Sequence, residues 1–386
     1  MHDFSYPRLV SLIVVFVAAS GCVLSPRVPS LRSITALRPP VKIVMTKDLS
    51  RGVRGARVGP VEVAGMVSTD DRLFVATAGG VLYCLNLDSW QLIWRKRLAG
   101  SGTATPLVSD RLLVVGDGNG IVYGLDAKNG KEKWRYEQDD VVVAQPVAAG
   151  GQIYLMTSGD KLVSLRADNG TWLWEYERKG RGSMTIRGAA SPAIEGGHLI
   201  AAFSDGAIVG LELATGKLLW VTTTATNRPF TDVDTTPLIV DGLAIVAAAD
   251  RALFAIDLRD GSIRWRYDHG GISAPVVVDK QLLYLSSDSV LSSLNPSTGQ
   301  VIWSKTLAVD KNSFFSQPAS IGKYLFVVAG DGTIIGLSVD DPTTVWQQKP
   351  GQISTGVIAP PHIAGGRLLV LSNAGKLYIF SGATEL

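Results

Sequence analysis

Residues 106–134 read PLVSDRLLVVGDGNGIVYGLDAKNGKEKW, with Pro106 and Trp134 at the ends and short β-rich runs between glycine-rich turns. A proline and a tryptophan recur at this separation of 28 residues six times along the chain. The pairs are Pro106 and Trp134, Pro146 and Trp174, Pro192 and Trp220, Pro237 and Trp265, Pro275 and Trp303, and Pro318 and Trp346. With Trp94 included, the tryptophans follow one another at steps of 38–46 residues. Hairpin-rich repeats of this length predict a propeller of four-stranded blades.

The number of repeat units predicts how the ring closes. Met66 and seven prolines mark eight blade starts, whereas only seven strands carry a tryptophan, so the last blade lacks one strand. The β-rich run Val41–Met45 lies before the first unit, and we expect it to supply the missing outer strand. Closure removes exposed sheet edges. The sequence therefore predicts an all-β, eight-bladed β-propeller of four-stranded antiparallel blades over residues 41–386.

Glycine and proline have expected positions in these blades. Five glycines lie 24 residues after their prolines, where each would supply the positive φ of a tight hairpin turn. They are Gly130, Gly170, Gly216, Gly261 and Gly299. Trp90 and Pro342 stand at this position in two other units, so we expect those turns to differ in type. The repeated prolines suit the start of the innermost strand, where a missing N–H costs no ladder bond.

The evenly spaced tryptophans are interpreted as structural residues that fill the space between neighbouring blades. They are Trp94, Trp134, Trp174, Trp220, Trp265, Trp303 and Trp346. An aromatic binding stripe is the alternative interpretation, but even spacing favours packing.

The N-terminal segment predicts export and anchoring. The apolar run Leu9–Ala19 leads to Ala19-Ser20-Gly21-Cys22, which resembles a bacterial lipobox at the end of a signal peptide over residues 1–21. On that resemblance Cys22 is acylated, and residues 22–40, which are rich in proline, form a flexible tether. Val23 after the cysteine favours the outer membrane in Gram-negative lipoproteins. An ordinary signal peptide with an incidental cysteine is the alternative.

Catalytic, metal and nucleic-acid sites have no support in the sequence. His198, His269 and His362 fall in different repeats, with no second ligand at metal-binding spacing. The run Gly116–Gly120 lacks the spacing of a dinucleotide loop, and a strand follows it. Read as a calcium loop, that segment has Lys128 where a glutamate is required. A net charge of +3 on 386 residues is too small to indicate nucleic-acid binding. We expect no catalytic residue, metal or cofactor.

The connections between repeat units point to a binding surface. The two longest are consecutive, with 18 residues from Trp174 to Pro192 and 17 from Trp220 to Pro237. Equivalent connections emerge on one face of a propeller, so these two should form one continuous surface. The first contains cations with Met184 and Ile186, and the second contains two alternate carboxylates. Arginine beside apolar residues is typical of protein-binding sites. Solvated loops whose charges pair with each other are the alternative.

Two motifs in these connections resemble the BamB family, the propeller lipoproteins of the β-barrel assembly machinery. They are Ile186-Arg187-Gly188 followed by Ser191-Pro192, and Asp232-Val233-Asp234-Thr235-Thr236-Pro237, and the segment Ile256–Gly261 is also similar. The resemblance implies a scaffold without catalytic activity on the periplasmic face of the outer membrane. Its partners would be the POTRA domains of BamA, other subunits of the machinery and nascent outer-membrane proteins.

The same resemblance implies which residues contact the partner. The first connection would contribute Met184, Ile186 and Arg187 to docking on BamA. The second would contribute Asp232 and Asp234. Met184 stands where the family often has leucine, a change that keeps the apolar character.

An enzyme is the alternative function. The tryptophan-bearing repeats also resemble the eight-bladed quinone (PQQ) dehydrogenases, which implies a PQQ-dependent periplasmic oxidoreductase or a degenerate relative. Those enzymes are longer and have a vicinal cysteine pair beside a calcium-bound quinone. Only Cys22 and Cys84 occur in this chain, and Cys84 lies within an apolar strand, where a buried inert thiol is expected. A cofactor-free relative is therefore favoured. A propeller serving a different envelope complex is a third hypothesis.

Overall fold

The computed structural model describes residues 39–50, 61–178, 190–224, 233, 235–248, 252–271, 273–307, 315–343 and 345–382. They lie within one compact unit, Leu31–Leu386. Every regular element in these ranges is a strand, and the 32 strands form eight antiparallel sheets of four strands each. The prediction of an all-β, eight-bladed propeller is confirmed.

The first four blades follow the chain. Blade 1 contains β2 (Met66–Ser68), β3 (Arg72–Ala76), β4 (Val81–Asn86) and β5 (Leu92–Arg97); blade 2 contains β6 (Leu107–Ser109), β7 (Leu112–Gly116), β8 (Ile121–Asp126) and β9 (Glu132–Glu137). Blade 3 contains β10 (Val147–Ala149), β11 (Gln152–Met156), β12 (Lys161–Arg166) and β13 (Trp172–Glu177); blade 4 contains β14 (Ala193–Glu195), β15 (His198–Ala202), β16 (Ala207–Glu212) and β17 (Leu218–Thr223).

The other four blades repeat this order until the last strand. Blade 5 contains β18 (Leu238–Val240), β19 (Leu243–Ala248), β20 (Ala252–Asp257) and β21 (Ile263–Tyr267); blade 6 contains β22 (Val276–Val278), β23 (Gln281–Leu285), β24 (Val290–Leu294) and β25 (Val301–Thr306). Blade 7 contains β26 (Ala319–Ile321), β27 (Tyr324–Val328), β28 (Ile334–Ser338) and β29 (Val345–Gln348); blade 8 contains β30 (His362–Ala364), β31 (Arg367–Leu371), β32 (Lys376–Gly382) and β1 (Val41–Asp48).

The N-terminal strand closes the ring, as the strand count predicted. β1 pairs antiparallel with β32, from Val41 opposite Gly382 to Asp48 opposite Lys376, and a bulge interrupts the register after Ile43. The short first strands contact one another at most blade junctions, and β2 contacts both β6 and β30, so blades 8 and 1 are adjacent and the ring is closed. The first strand of each blade is therefore innermost, and β1 is the outer strand of blade 8.

The repeated prolines precede the innermost strands, as expected. Each proline from Pro106 to Pro361 stands directly before the first strand of its blade, from β6 through β30. Its missing N–H therefore falls outside the ladder. Met66 takes the same place in blade 1, and because it keeps its N–H it belongs to β2, paired with Val75.

A tryptophan of one blade packs on the hairpin turn of the next. Gly170 has φ +72°, and a Cβ atom placed on it would lie 2.6 Å from the ring of Trp134 in the previous blade. The Trp134 indole N–H also donates to the Ala167 carbonyl in that turn, at 2.9 Å. The same glycine contact recurs with Trp94, Trp174, Trp220 and Trp265. Glycine suits these turn positions for two reasons: it adopts positive φ without strain, and it has no side chain to collide with the tryptophan ring.

Trp90 overturns one expectation about the turns. Its φ is +59°, and its N–H donates to Asn86 O at 2.8 Å, as the Gly130 N–H donates to Asp126 O. The turn thus has the ordinary type, and the prediction that it would differ is wrong. The Trp90 side chain is only 2% exposed within an apolar cluster that also contains Ile379 of blade 8. Burial of a large ring at the seam outweighs the preference of the turn for glycine.

The turn at Pro342 does differ, as expected. In blades 1 to 6 a bulge separates the last two strands, for example between Gly124 and Leu125. In blade 7 the register runs without a shift, with Gly336 opposite Trp346 and Leu337 opposite Val345. Proline cannot adopt positive φ, so the bulged turn of the other blades is not available here.

Candidate partner-binding site

The residues that the sequence assigned to partner binding lie outside the described residues. This applies to Met184, Ile186, Arg187, Asp232 and Asp234, and also to Cys22. What the structure describes is the frame of the two connections. The first is described up to Arg178 and again from Ala190, and the second up to Thr224, at Val233 and from Thr235.

The first connection begins at a clamped arginine. The Arg178 guanidinium makes two hydrogen bonds to Asp205 Oδ2, from Nε at 2.9 Å and from Nη2 at 2.6 Å, and it lies 6.0 Å from the Phe203 ring centroid. Its backbone N–H donates to the carbonyl of Asp160, whose carboxylate accepts hydrogen bonds from Ser204. A two-point, charge-assisted contact of this kind holds the chain in a defined direction. The last strand of blade 3 is thereby fixed to a turn of blade 4.

The two connections end side by side. The Ser191 N–H, at the end of the first, donates to Thr236 Oγ1, at the end of the second, at 3.0 Å. Thr235 Oγ1 in turn donates to Ala247 O at 2.9 Å. Val233 is 1% exposed and belongs to the same apolar cluster as Ala190. The described ends of the two connections are therefore in direct contact.

The contact at the end of the connections belongs to the repeat. Between blades 1 and 2, the Gly65 N–H donates to Thr105 Oγ1 at 2.8 Å, and both residues precede the first position of their blades as Ser191 and Thr236 do. The same hydrogen bond at two blade pairs indicates a common framework. The two long connections therefore differ from the others in the extra residues that precede this hydrogen bond.

A cavity that the sequence did not indicate lies at the opposite end of the same blades. Its volume is about 390 Å³, and its lining includes Glu195, His198, Asp241, Asp257 and Arg259. The Asp257 carboxylate accepts hydrogen bonds from Arg259 Nη2 at 2.8 Å and from Arg264 Nη2 at 2.7 Å. The bound Arg259 guanidinium holds the pKa of Asp257 well below its usual range. Because its charge is matched by two arginines, Asp257 has a structural explanation.

The described side chains offer no metal-binding geometry, and Cys84 and His362 have structural explanations. No group of three His, Cys, Asp or Glu side chains in the described part of the chain could hold a metal ion. Burial raises the pKa of the Cys84 thiol to about 11, so it stays protonated and unreactive at neutral pH. Desolvation lowers the pKa of His362 to about 4, and its Nε2 shares a hydrogen bond with Ser68 Oγ at 2.8 Å. His362 is therefore neutral and structural. No helix suited to span a membrane occurs among the residues that were described.

Comparison with known proteins gives a consistent result. The sequence model of the family described as outer membrane protein assembly factor BamB matches residues 46–141, 109–305 and 249–384. The BamB proteins of Yersinia pestis and Legionella pneumophila are 28% and 30% identical over 207 and 204 residues, 52% and 51% of this chain. These alignments cover 51% and 52% of the relatives, so the chain spans about half the length of the curated relatives it matches.

Solved structures share the fold. BamB from Moraxella catarrhalis has a TM-score of 0.74 at 19% identity, covering 90% of this chain and 99% of that one. A europium-containing methanol dehydrogenase has a TM-score of 0.70 at 12% identity, covering 88% of this chain and 93% of that one. At these identities the likeness establishes the propeller alone. The family match over residues 46–384 is more specific, and by it this chain belongs to the outer membrane protein assembly factor BamB family.

Proposed function

We propose that this protein is a non-catalytic scaffold lipoprotein of the outer-membrane β-barrel assembly machinery. It binds the periplasmic POTRA domains of BamA, associates with other subunits and assists the insertion of nascent outer-membrane proteins. The single observation that carries the proposal is the match of residues 46–384 to the BamB family model. The relatives' names as assembly factors support it, and the hydrogen bond between Ser191 and Thr236 makes the two motif-bearing connections neighbours.

The residues of the proposed site fall into three groups by role. Met184 and Ile186 are apolar anchors that enter pockets of the partner, and Arg187 binds a carboxylate or a backbone carbonyl there. An arginine flanked by apolar residues has the composition of an interface hot spot. Asp232 and Asp234 either meet a basic patch of the partner or orient Arg187. The hydrogen-bonded frame at Arg178 and Ser191 supports these roles, because it limits the entropy that the two connections lose on binding.

The protein is anchored to the periplasmic face of the outer membrane by acyl chains on Cys22. More than one chain on a single residue gives stable membrane attachment. Residues 23–40 then act as a proline-rich tether between the lipid and the propeller. This location puts the propeller in the same compartment as the proposed partner.

The test of the docking site is co-purification from solubilised membranes. Arg187→Glu should lower the amount of BamA recovered with the protein by at least about tenfold, since it replaces a hot-spot cation with a repelled charge. Arg111→Glu is the matched control, because this exposed blade 2 side chain undergoes the same charge change. Equal recovery with both variants would show that the site is wrongly assigned, and absence of BamA from the wild-type sample would show that the partner is wrong.

The quinone-dependent oxidoreductase is the second candidate, favoured only by the shared fold with the methanol dehydrogenase. Purified protein is incubated with PQQ and calcium, and bound quinone absorbance and dye reduction are measured. The scaffold proposal expects neither signal. Reproducible turnover would overturn it.

A further inference from the structure

The outer strands of the eight blades differ sharply in charge. β1 and β5, in the neighbouring blades 8 and 1, together carry five cations and one carboxylate. The cations are Lys42, Lys47, Arg95, Lys96 and Arg97, and the carboxylate is Asp48. By contrast, β13 in blade 3 carries Glu175 and Glu177 without a cation, and β17 in blade 4 carries no charge. The rim of the propeller is therefore basic on one side.

Two of these cations are exposed and also make no ion pair among the described residues. Lys96 is engaged with Glu132 at 3.1 Å, whereas Lys42 and Arg95 are exposed and make no ion pair within the described ranges. The outer strand of blade 5, β21, shows the opposite case. It also carries two arginines, but Arg264 pairs with Asp257 and Arg266 with Asp268, each at 2.7 Å. Uncompensated positive charge on the rim is thus found at blades 8 and 1.

Exposed apolar side chains accompany these cations, as they do on other outer strands such as β17 and β25, so the cations are what distinguish blades 8 and 1. Val44 and Met45 on β1, and Leu92 and Ile93 on β5, are between 37% and 48% exposed. Cations beside partly exposed aliphatic side chains are the composition of surfaces that bind at a membrane interface. The cations attract anionic headgroups, and the aliphatic groups enter the headgroup region.

The chain itself leads from the proposed lipid to this side of the ring. Residues 22–40 run directly into Val41, the first residue of β1, so the tether joins the propeller at the outer strand of blade 8. In a ring of eight blades, blade 8 lies opposite blade 4. Blade 4 is flanked by the two long connections of the proposed docking site. The basic rim and the docking connections therefore occupy opposite sides of the propeller.

We propose that the outer strands β1 and β5 form a membrane-binding surface that contacts anionic phospholipid headgroups. Lys42 and Arg95 bind the phosphates, and the exposed aliphatic residues of both strands rest at the headgroup level. The inference rests on the proposed anchoring at Cys22, and it adds an orientation to it. The propeller lies with blades 8 and 1 on the membrane and presents blade 4 to its protein partner.

The experiment measures vesicle binding of the mature chain carrying Cys22→Ser, which has no acyl anchor. Co-sedimentation is compared for phosphatidylcholine vesicles with and without phosphatidylglycerol. We expect binding to the anionic vesicles only, decreasing as salt is raised. The double variant Lys42→Glu, Arg95→Glu should lose at least about tenfold in partitioning, since each basic residue near an anionic surface contributes about fivefold.

The matched control is Arg266→Glu, at the repeat position of Arg95 but in the opposite blade 5. It should retain binding. Equal binding to both vesicle types, or an equal loss in this control, would overturn the proposal. Full binding by the double variant would also overturn it, since the arginines of residues 23–40 would then suffice. BamA recovery with the acylated double variant should be unchanged, which separates this proposal from the docking proposal.

Discussion

The interface between blades 1 and 2 and the seam between blades 8 and 1 fill the same kind of space with different residues. At the regular interface, Trp94 packs on Gly130 of the next blade and donates to Ala127 O at 3.3 Å. At the seam, β1 carries no tryptophan, and Trp90 from the turn of blade 1 occupies the space. The Arg367 guanidinium of blade 8 lies 5.8 Å from its ring.

The polar contacts at the two places also differ. Asp117 in blade 2 is fully buried and accepts hydrogen bonds from the Gly100 N–H, the Tyr123 hydroxyl and two further backbone N–H groups. At the seam, Glu62 is also buried but accepts a hydrogen bond from the Ala78 N–H, at 2.7 Å, as its only partner among the described residues. Desolvation with so little compensation raises the pKa of Glu62 to about 7.

The difference shows that the repeat does not determine which residues fill the seam. Regular interfaces are held by a repeated tryptophan–glycine contact. The seam depends on the pairing of one added strand and on residues that occur once. Substitutions that act on only the regular interface or only the seam therefore separate the two contributions to stability.

The largest effect is expected from deleting β1. Removal of Val41–Asp48 exposes the edge of β32 and opens the ring, so the free energy of unfolding should fall by about 5 kcal/mol or more. Urea denaturation measures it, with deletion of residues 23–38 as the control. An unchanged midpoint after the β1 deletion would show that the ring does not need this strand.

Trp90→Gly tests whether the seam can use the residue of a regular turn. The turn should accept glycine without strain, but the lost ring leaves a cavity, so we expect destabilisation of about 4 kcal/mol. Thermal unfolding and urea denaturation measure this change. Greater stability in the variant would mean that turn strain, and not packing, dominates at Trp90.

Glu62→Gln should change how stability depends on pH. The folded-state pKa of about 7 exceeds the ordinary glutamate pKa of 4.5, so the wild-type protein loses stability as pH rises from about 4.5 through 7. The loss is at most about 3 kcal/mol, and the variant should escape it. At pH 8 the variant should therefore unfold at higher urea concentration than the wild type.

The control for this experiment is Glu137→Gln, an exposed carboxylate of blade 2. Its urea midpoint should follow that of the wild type at every pH. A wild-type stability that does not fall between pH 5 and pH 8 would contradict the role assigned to Glu62.

Gly170→Ala tests the regular interface and should have the smallest effect, about 2 kcal/mol. The added methyl group meets the Trp134 ring and the residue must keep φ +72°. Gly150→Ala is the control, because φ is +57° there but the new Cβ meets nothing within 4 Å. The difference between the two variants measures the tryptophan contact alone. Equal effects would mean that only backbone strain matters.

Much of the fold follows from local patterns in the sequence. The spacing of prolines and tryptophans predicts the blade number and the innermost strands, and the count of strands predicts that β1 closes the ring. The sequence did not predict the turn at Trp90, because its conformation is stabilised by packing against blade 8, far away in the chain. Nor did it indicate the exposed charge of the rim, since ion pairs such as that between Arg264 and Asp257 depend on folded geometry.

The candidate site was predictable in part. Unequal gaps between repeat units identified the two long connections and their order around the ring. The contact between Ser191 and Thr236 was not foreseen, because it joins residues 45 positions apart. One signal could have indicated it: threonine precedes the proline at both Thr105 and Thr236, and aligned repeats would have shown this recurrence.

By itself, the sequence determined the eight-bladed architecture and the positions at which the repeat is interrupted, because hydrophobic period, turn chemistry and spacing are local properties. Tertiary structure alone decided how the seam is filled, which carboxylates are compensated and where positive charge remains exposed on the rim. These features depend on contacts between residues of different blades, and burial and charge compensation are set by such contacts.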